Sequence, residues 1–167
     1  MKNVNEARVV FLGAGNMAEA LVRGLLAGKV CPASHVSVTD LRPERLDYFK
    51  ATFGVSGEAS NVAAVATADV LFLAVKPQQL REVLAEVAPH LGPGALVVSI
   101  AAGVRTGTLE GLLGVSARVV RAMPNTPALV GAGITAICPG RHAGADEMAV
   151  AEELLKAVGA VVRVEEG

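Results

Sequence analysis

The stretch "FLGAGNMAEALVRGL", residues 11 to 25, constrains the fold more than any other part of the chain. Gly13, Gly15 and Ala18 stand at the spacing G-x-G-x-x-A, directly after the apolar, β-branched run "RVVFLG" at 8 to 13. From Asn16 to Gly28 apolar residues then recur three and four apart, at Met17, Ala20, Leu21 and Leu25, which is the period of a helix with one buried face. A strand, a tight glycine turn and a helix in that order are expected to open a dinucleotide-binding unit, the other reading being a plain tight turn between strand and helix. The first glycine permits the turn, the second lets the backbone approach a phosphate, and the small third residue keeps the helix close to the sheet. The amides of Asn16 and Met17 would then face an anionic pyrophosphate together with the helix dipole.

The rest of the chain repeats the alternation. Strands are expected over 35 to 40, 69 to 75, 94 to 103, 117 to 124, 133 to 140 and 160 to 166. Helices are expected over 43 to 53, 61 to 68, 77 to 91, 105 to 114 and 144 to 159. Strands alternating with helices across short joints give an α/β fold, a doubly wound and mostly parallel Rossmann-type sheet. The division expected is an N-terminal tail over residues 1 to 7 and a dinucleotide-binding domain over 8 to 167. A chain of 167 residues with 52% hydrophobic and 3% aromatic content suits one such domain, able to bury roughly 70% of the surface its unfolded form exposes.

Charge and composition exclude several functions. A formal net charge of −1 without a basic block gives no footprint for nucleic acid. The longest apolar run, "VLFLAV" at 70 to 75, is far short of the ~20 residues that span a bilayer, and "MKNVNEA" lacks the layout of a signal peptide, so no membrane partner and a cytoplasmic location are expected. Two isolated cysteines, Cys31 and Cys138, support neither a disulfide framework nor a metal site. His35, His90 and His142 have no partner acid or nucleophile and receive no catalytic role.

In an open parallel sheet ligands lie beyond the carboxyl ends of the strands, so the residues just after each strand are the candidates. Asp40 ends the second strand 25 residues beyond Gly15, where a carboxylate takes the ribose hydroxyls and favours NAD. Arg42 and Arg45, close behind it, would favour the 2′-phosphate of NADP, and the choice between NADH and NADPH stays open. Lys76 and Pro77 follow "VLFLAV" at the mouth of the expected cleft, with proline fixing the start of a helix. Ala101, Ala102 and Gly103 are small enough to leave room for a nicotinamide ring. Asn125 and Thr126, between two prolines, are either substrate-side groups or turn formers.

Taken as an ordered set, "FLGAGNMAEALVRGL", "DVLFLAVKPQQL", "VVSIAAGV" and "RVVRAMPNTPALVGAGIT" resemble the N-terminal half of the pyrroline-5-carboxylate reductase family, from about Arg8 to Glu166. The resemblance implies hydride transfer from NADPH or NADH to the C=N bond of 1-pyrroline-5-carboxylate, giving L-proline. It also implies cofactor contacts at Leu12, Gly13, Ala14, Gly15, Asn16, Met17 and Ala18, at Asn61, at Ala74, Val75, Lys76 and Pro77, and at Ala102. The family's pattern continues into a helical domain that dimerises and supplies a substrate loop, so a homo-oligomer in full-length form is implied, and little turnover by residues 1 to 167 alone. Two other readings remain open on the residues themselves: a non-catalytic NAD(P)-binding or redox-sensing module, and another imine or β-hydroxyacid reductase.

Overall fold

In the computed structural model, residues 3–114 and 116–167 are described. The first two residues of the expected tail lie outside them. Residues 3–7 form a turn whose Val4 and Ala7 are buried in the core.

Among the described residues eight strands form one sheet. They are β1 (Val9–Leu12), β2 (Val36–Thr39), β3 (Ser56–Glu58), β4 (Val70–Leu73), β5 (Leu96–Ser99), β6 (Arg118–Met123), β7 (Gly133–Pro139) and β8 (Gly159–Arg163), in the spatial order β3-β2-β1-β4-β5-β6-β7-β8. Every pairing is parallel except β6 with β7. The chain builds outward from β1 through β2 to β3, then crosses back to place β4 on the other side of β1. That reversal opens a crevice at the carboxyl ends of β1 and β4, the place where such sheets take their ligands.

Among the described residues six α-helices cover the sheet: α1 (Asn16–Ala27), α2 (Pro43–Phe53), α3 (Asn61–Val65), α4 (Pro77–Val87), α5 (Thr106–Leu113) and α6 (Ala145–Leu155). Alternation along each strand sorts the core into two layers. Phe11, Val38, Phe72 and Val98 point to the face packed by α1, α2 and α6. Leu12, Leu71, Leu73 and Val97 point to the face packed by α3, α4 and α5. Phe11 and Phe72 are register partners on adjacent strands and stack at 4.6 Å between ring centroids. β1, β4 and β5 are buried along their whole length, which is why they read as continuous apolar runs.

Several expected boundaries move. The helix expected over 77 to 91 closes as α4 at Val87 and tightens into a 3₁₀ turn at Ala88–His90, and the one expected over 144 to 159 tightens in the same way at Lys156–Val158. The short helix expected over 61 to 68 stops at Val65. The last strand stops at Arg163 rather than 166, because Glu166 turns away to the amino end of α5. β3 was not expected at all, and neither was the 3₁₀ turn at Thr126–Val130. Among the described residues no helix is long and apolar enough to cross a membrane, and no cluster of His, Cys, Asp or Glu could hold a metal ion. Both cysteines are free and buried.

Candidate dinucleotide cleft

The turn after β1 is closed by backbone bonds on both sides. The Gly13 amide donates to the Thr39 carbonyl of β2 at 2.9 Å, and the Ala74 amide after β4 donates to the Leu12 carbonyl at 2.8 Å. Gly13 has φ +100°, and a Cβ built on it would lie 2.6 Å from the Ala74 carbonyl oxygen. Backbone angle and space therefore both require glycine. Gly15 is different: its φ is −86°, it caps α1 without a side-chain bond, and a Cβ there would meet nothing within 4 Å. That open space belongs to a cleft of about 590 Å³ at the carboxyl ends of β1, β2 and β4.

The cleft brings together nine of the residues singled out in the sequence: Gly13, Ala14, Gly15, Asp40, Arg42, Asn61, Ala74, Val75 and Lys76. Leu12 and Ala18 lie behind the wall, buried in the two core layers, and Met17 packs half-buried against the core. Asn16 and Pro77 are exposed at the first positions of α1 and α4. Ala102 is exposed beyond β5, outside the cleft lining. Asn125 and Thr126 lie at a separate turn. There the Asn125 Oδ1 accepts the Ile134 amide at 2.9 Å, which is the work of a turn former at the start of β7.

Asp40 is already engaged. Its Oδ2 accepts the Ala14 amide at 2.9 Å, and its Oδ1 accepts both the amide and the Nε of Arg42 at 2.9 Å. Burial works against ionisation, but the bonds from Arg42 and from the Ala14 amide outweigh it and hold the carboxyl down to about 2. Arg42 thus screens Asp40 at the rim with its side chain half exposed. Arg45, expected to be a second hand for a 2′-phosphate, is turned the other way. Its Nε donates to the Ala14 carbonyl at 2.7 Å and its Nη2 to Glu19 Oε1 at 2.9 Å, with the guanidinium over the rings of Tyr48 and Phe49. Arg45 does not line the cleft.

The cleft also has a wall that the strand-end rule did not reach. Gln79, Glu82, Val83 and Glu86 line it from one stripe of α4, at spacings of three and four. Asn61 Nδ2 donates to Glu86 Oε1 at 3.1 Å and joins α3 to that wall. The same spacing in the sequence was the available signal. Leu41 stands 87% exposed at the mouth between Asp40 and Arg42. A more open groove, larger at about 710 Å³, lies at the far end of α1 between Lys29 and α6, away from the glycine turn and the strand ends.

Residues 8–103, the span that builds this cleft, match the family described as NADP oxidoreductase, coenzyme F420-dependent. Over 91% of its length the chain is 43% identical to a pyrroline-5-carboxylate reductase of Pseudomonas aeruginosa, covering 55% of that protein. A pyrroline-5-carboxylate reductase structure from Coxiella burnetii superposes with a TM-score of 0.93 at 38% identity, over 97% of this chain and 60% of that one. The Plasmodium falciparum pyrroline carboxylate reductase, solved with NADP bound, shares the fold with a TM-score of 0.86 at 24% identity, over 98% of this chain and 59% of that one. The chain spans somewhat over half the length of the relatives it matches.

Proposed function

The chain belongs to the NADP oxidoreductase, coenzyme F420-dependent family, and from that membership we propose that it is the NAD(P)H-binding portion of a pyrroline-5-carboxylate reductase. The observation that carries this reading is the open space in front of Gly15. It lies at the amino end of a twelve-residue helix, inside a cleft at the sheet's crossing point, where a pyrophosphate needs close backbone approach. Residues 8 to 167 act as one dinucleotide-binding unit in this reading.

Each group has a task set by its place. The Gly15 amide, with those opening α1 at Asn16 and Met17, holds the pyrophosphate, Gly13 and Ala14 form the floor beneath it, and Leu12 and Ala18 keep the turn and the helix against the sheet. Asp40 and Arg42 meet the adenosine ribose, and Leu41 offers an apolar surface to the adenine. Asn61, Ala74, Val75 and Lys76 line the passage away from it, with Pro77 fixing the start of α4. Ala102 stands at the nicotinamide end, and Thr126 and Asn125, whose Oδ1 already holds the turn before β7, are this chain's groups on the substrate side.

A reduced nicotinamide held in this cleft would supply the hydride for the C=N carbon of 1-pyrroline-5-carboxylate. A protonated cyclic imine is already electrophilic, so the protein's work is orientation and exclusion of water rather than acid and base chemistry. These residues supply the cofactor wall of that site. The substrate wall and the contacts between copies of a homo-oligomer are assigned to the part of the relatives that this chain does not span.

The test is reconstitution. Residues 1 to 167 fused to the carboxyl-terminal part of the Pseudomonas aeruginosa relative should oxidise NADPH or NADH when 1-pyrroline-5-carboxylate is added, followed by absorbance. Residues 1 to 167 alone should not. Cofactor binding without turnover in a folded fusion would favour the non-catalytic module instead.

A further inference from the structure

Two side chains hold Ala14 from opposite sides, and only one of them faces the cleft. Asp40, which lines it, accepts the Ala14 N–H. Arg45, which does not, donates through Nε to the Ala14 carbonyl at 2.7 Å and reaches the Gly15 carbonyl through Nη2 at a longer 3.5 Å. Resting on the dinucleotide reading above, we propose that Arg45 is a positioning residue for pyrophosphate, fixing the Ala14–Gly15 peptide so that the Gly15 amide is presented for phosphate binding.

The Ala14–Gly15 peptide is trans, as every peptide among the described residues is, so the carbonyl of Ala14 and the N–H of Gly15 point in opposite directions across one planar group. A donor that holds the carbonyl from behind turns the amide away from itself. Gly15 has no side chain with which to restrain this peptide, and it caps α1 without a side-chain bond. The restraint has to come from elsewhere.

Arg45 is built for it. Its planar guanidinium is seated on Tyr48 at 5.1 Å and Phe49 at 5.2 Å from the ring centroids and is tied to Glu19 in the first turn of α1. Glu19 is held in turn by Arg23 and by the Tyr48 hydroxyl at 3.2 Å. Loop, helix and α2 are thereby joined through one side chain whose fork is committed away from the cleft. This separates Arg45 from Arg42, which lies at the rim beside the ribose position.

Titration of NADH, NADPH, ADP and adenosine against residues 1 to 167 and three variants decides the matter. Arg45→Met, which keeps the stem, should weaken NADH, NADPH and ADP by the same factor, about ten-fold, with adenosine unchanged, because only the first three carry the pyrophosphate. Arg45→Lys should recover part of the loss, and Glu19→Gln should produce a smaller loss of the same pattern. If Arg45→Met does not fold, Glu19→Gln and Arg45→Lys decide by the same comparison. Wild-type affinity in the folded variants, or an equal loss for adenosine, overturns the assignment. A wild-type chain that binds no dinucleotide overturns the reading beneath it as well.

Discussion

Glu166 caps helix α5 from sixty residues away: its Oε1 accepts the Thr106 amide at 2.9 Å and its Oε2 the Thr106 hydroxyl at 2.7 Å. Arg121 on β6 completes the group, donating to the same carboxylate at 3.0 Å with both side chains largely buried. The contact ties the segment after β8 to the carboxyl-end side of the sheet. Removal of the carboxylate leaves a helix terminus and a guanidinium without their partner. Glu166→Ala should cost about 2 kcal/mol, read as a lower urea midpoint with unchanged slope, and Glu166→Gln about half of that. An unaltered midpoint for the alanine variant would show that the cluster is not a stabilising contact.

Lys29 follows α1 with φ +55°, in the left-handed region that L side chains disfavour. The Val30 amide closes the helix end by donating to the Leu25 carbonyl at 2.9 Å, so the conformation is built into the stop. Lys29→Gly should therefore stabilise the protein by up to about 1 kcal/mol, or roughly 2–4 °C in the thermal midpoint for a chain of this size. A lower midpoint would mean that the lysine side chain contributes more than its backbone costs.

Asp40 gives a pH dependence whose sign follows from its depressed carboxyl, about 2 against an ordinary 3.8. A group depressed on folding contributes stability that is complete above its unfolded value and is lost as pH falls toward the folded one. The expected contribution is on the order of 1–2 kcal/mol, discounted because its partner Arg42 is half exposed, and it should fade between about pH 4 and 2. Glu19 and Glu166 are held below the usual range in the same sense, their hydrogen bonds overcoming burial, and add to the acid limb. Denaturant midpoints of the wild type and Asp40→Asn, measured from pH 7 to 2, should converge in acid; a constant gap would contradict the assignment.

In the proposed reading, the same pair meets the adenosine end of the cofactor. Asp40→Asn removes the charge that repels a 2′-phosphate and should shift affinity toward NADPH relative to NADH. Arg42→Ala uncovers the carboxylate and should shift it the other way. Dissociation constants for both cofactors provide the check, and an unchanged ratio in both variants would place selection elsewhere.

Features with a local signature are legible in the sequence. Gly13, Gly15 and Ala18 announce the turn, and the buried runs of β1 and β4 announce the strands on either side of it. β3 left no such mark. It is three residues, Ser56–Glu58, at an exposed sheet edge with no apolar alternation, and it exists because β2 offers it a backbone to pair with. The direction of β7 was equally silent, because side-chain periodicity is the same for parallel and antiparallel strands. Arg45 reads in the sequence as a partner for a 2′-phosphate. Its bond to Ala14, 31 positions away, appears only when α2 folds back onto the glycine turn. The stripe at Gln79, Glu82, Val83 and Glu86 carries helical spacing, yet nothing local says which cleft that stripe will face.

The central claim is that the space before Gly15 receives the pyrophosphate of NADH or NADPH, and a titration of residues 1 to 167 against Gly15→Val tests it most directly. Gly15 has ordinary φ and no neighbour within 4 Å of a Cβ, so the variant should fold like the wild type while its side chain projects into the cleft. Cofactor fluorescence, with circular dichroism as the control for folding, should show saturable binding by the wild type and at least a ten-fold loss in the variant. No binding by the folded wild type, or equal binding by the folded variant, would contradict the account.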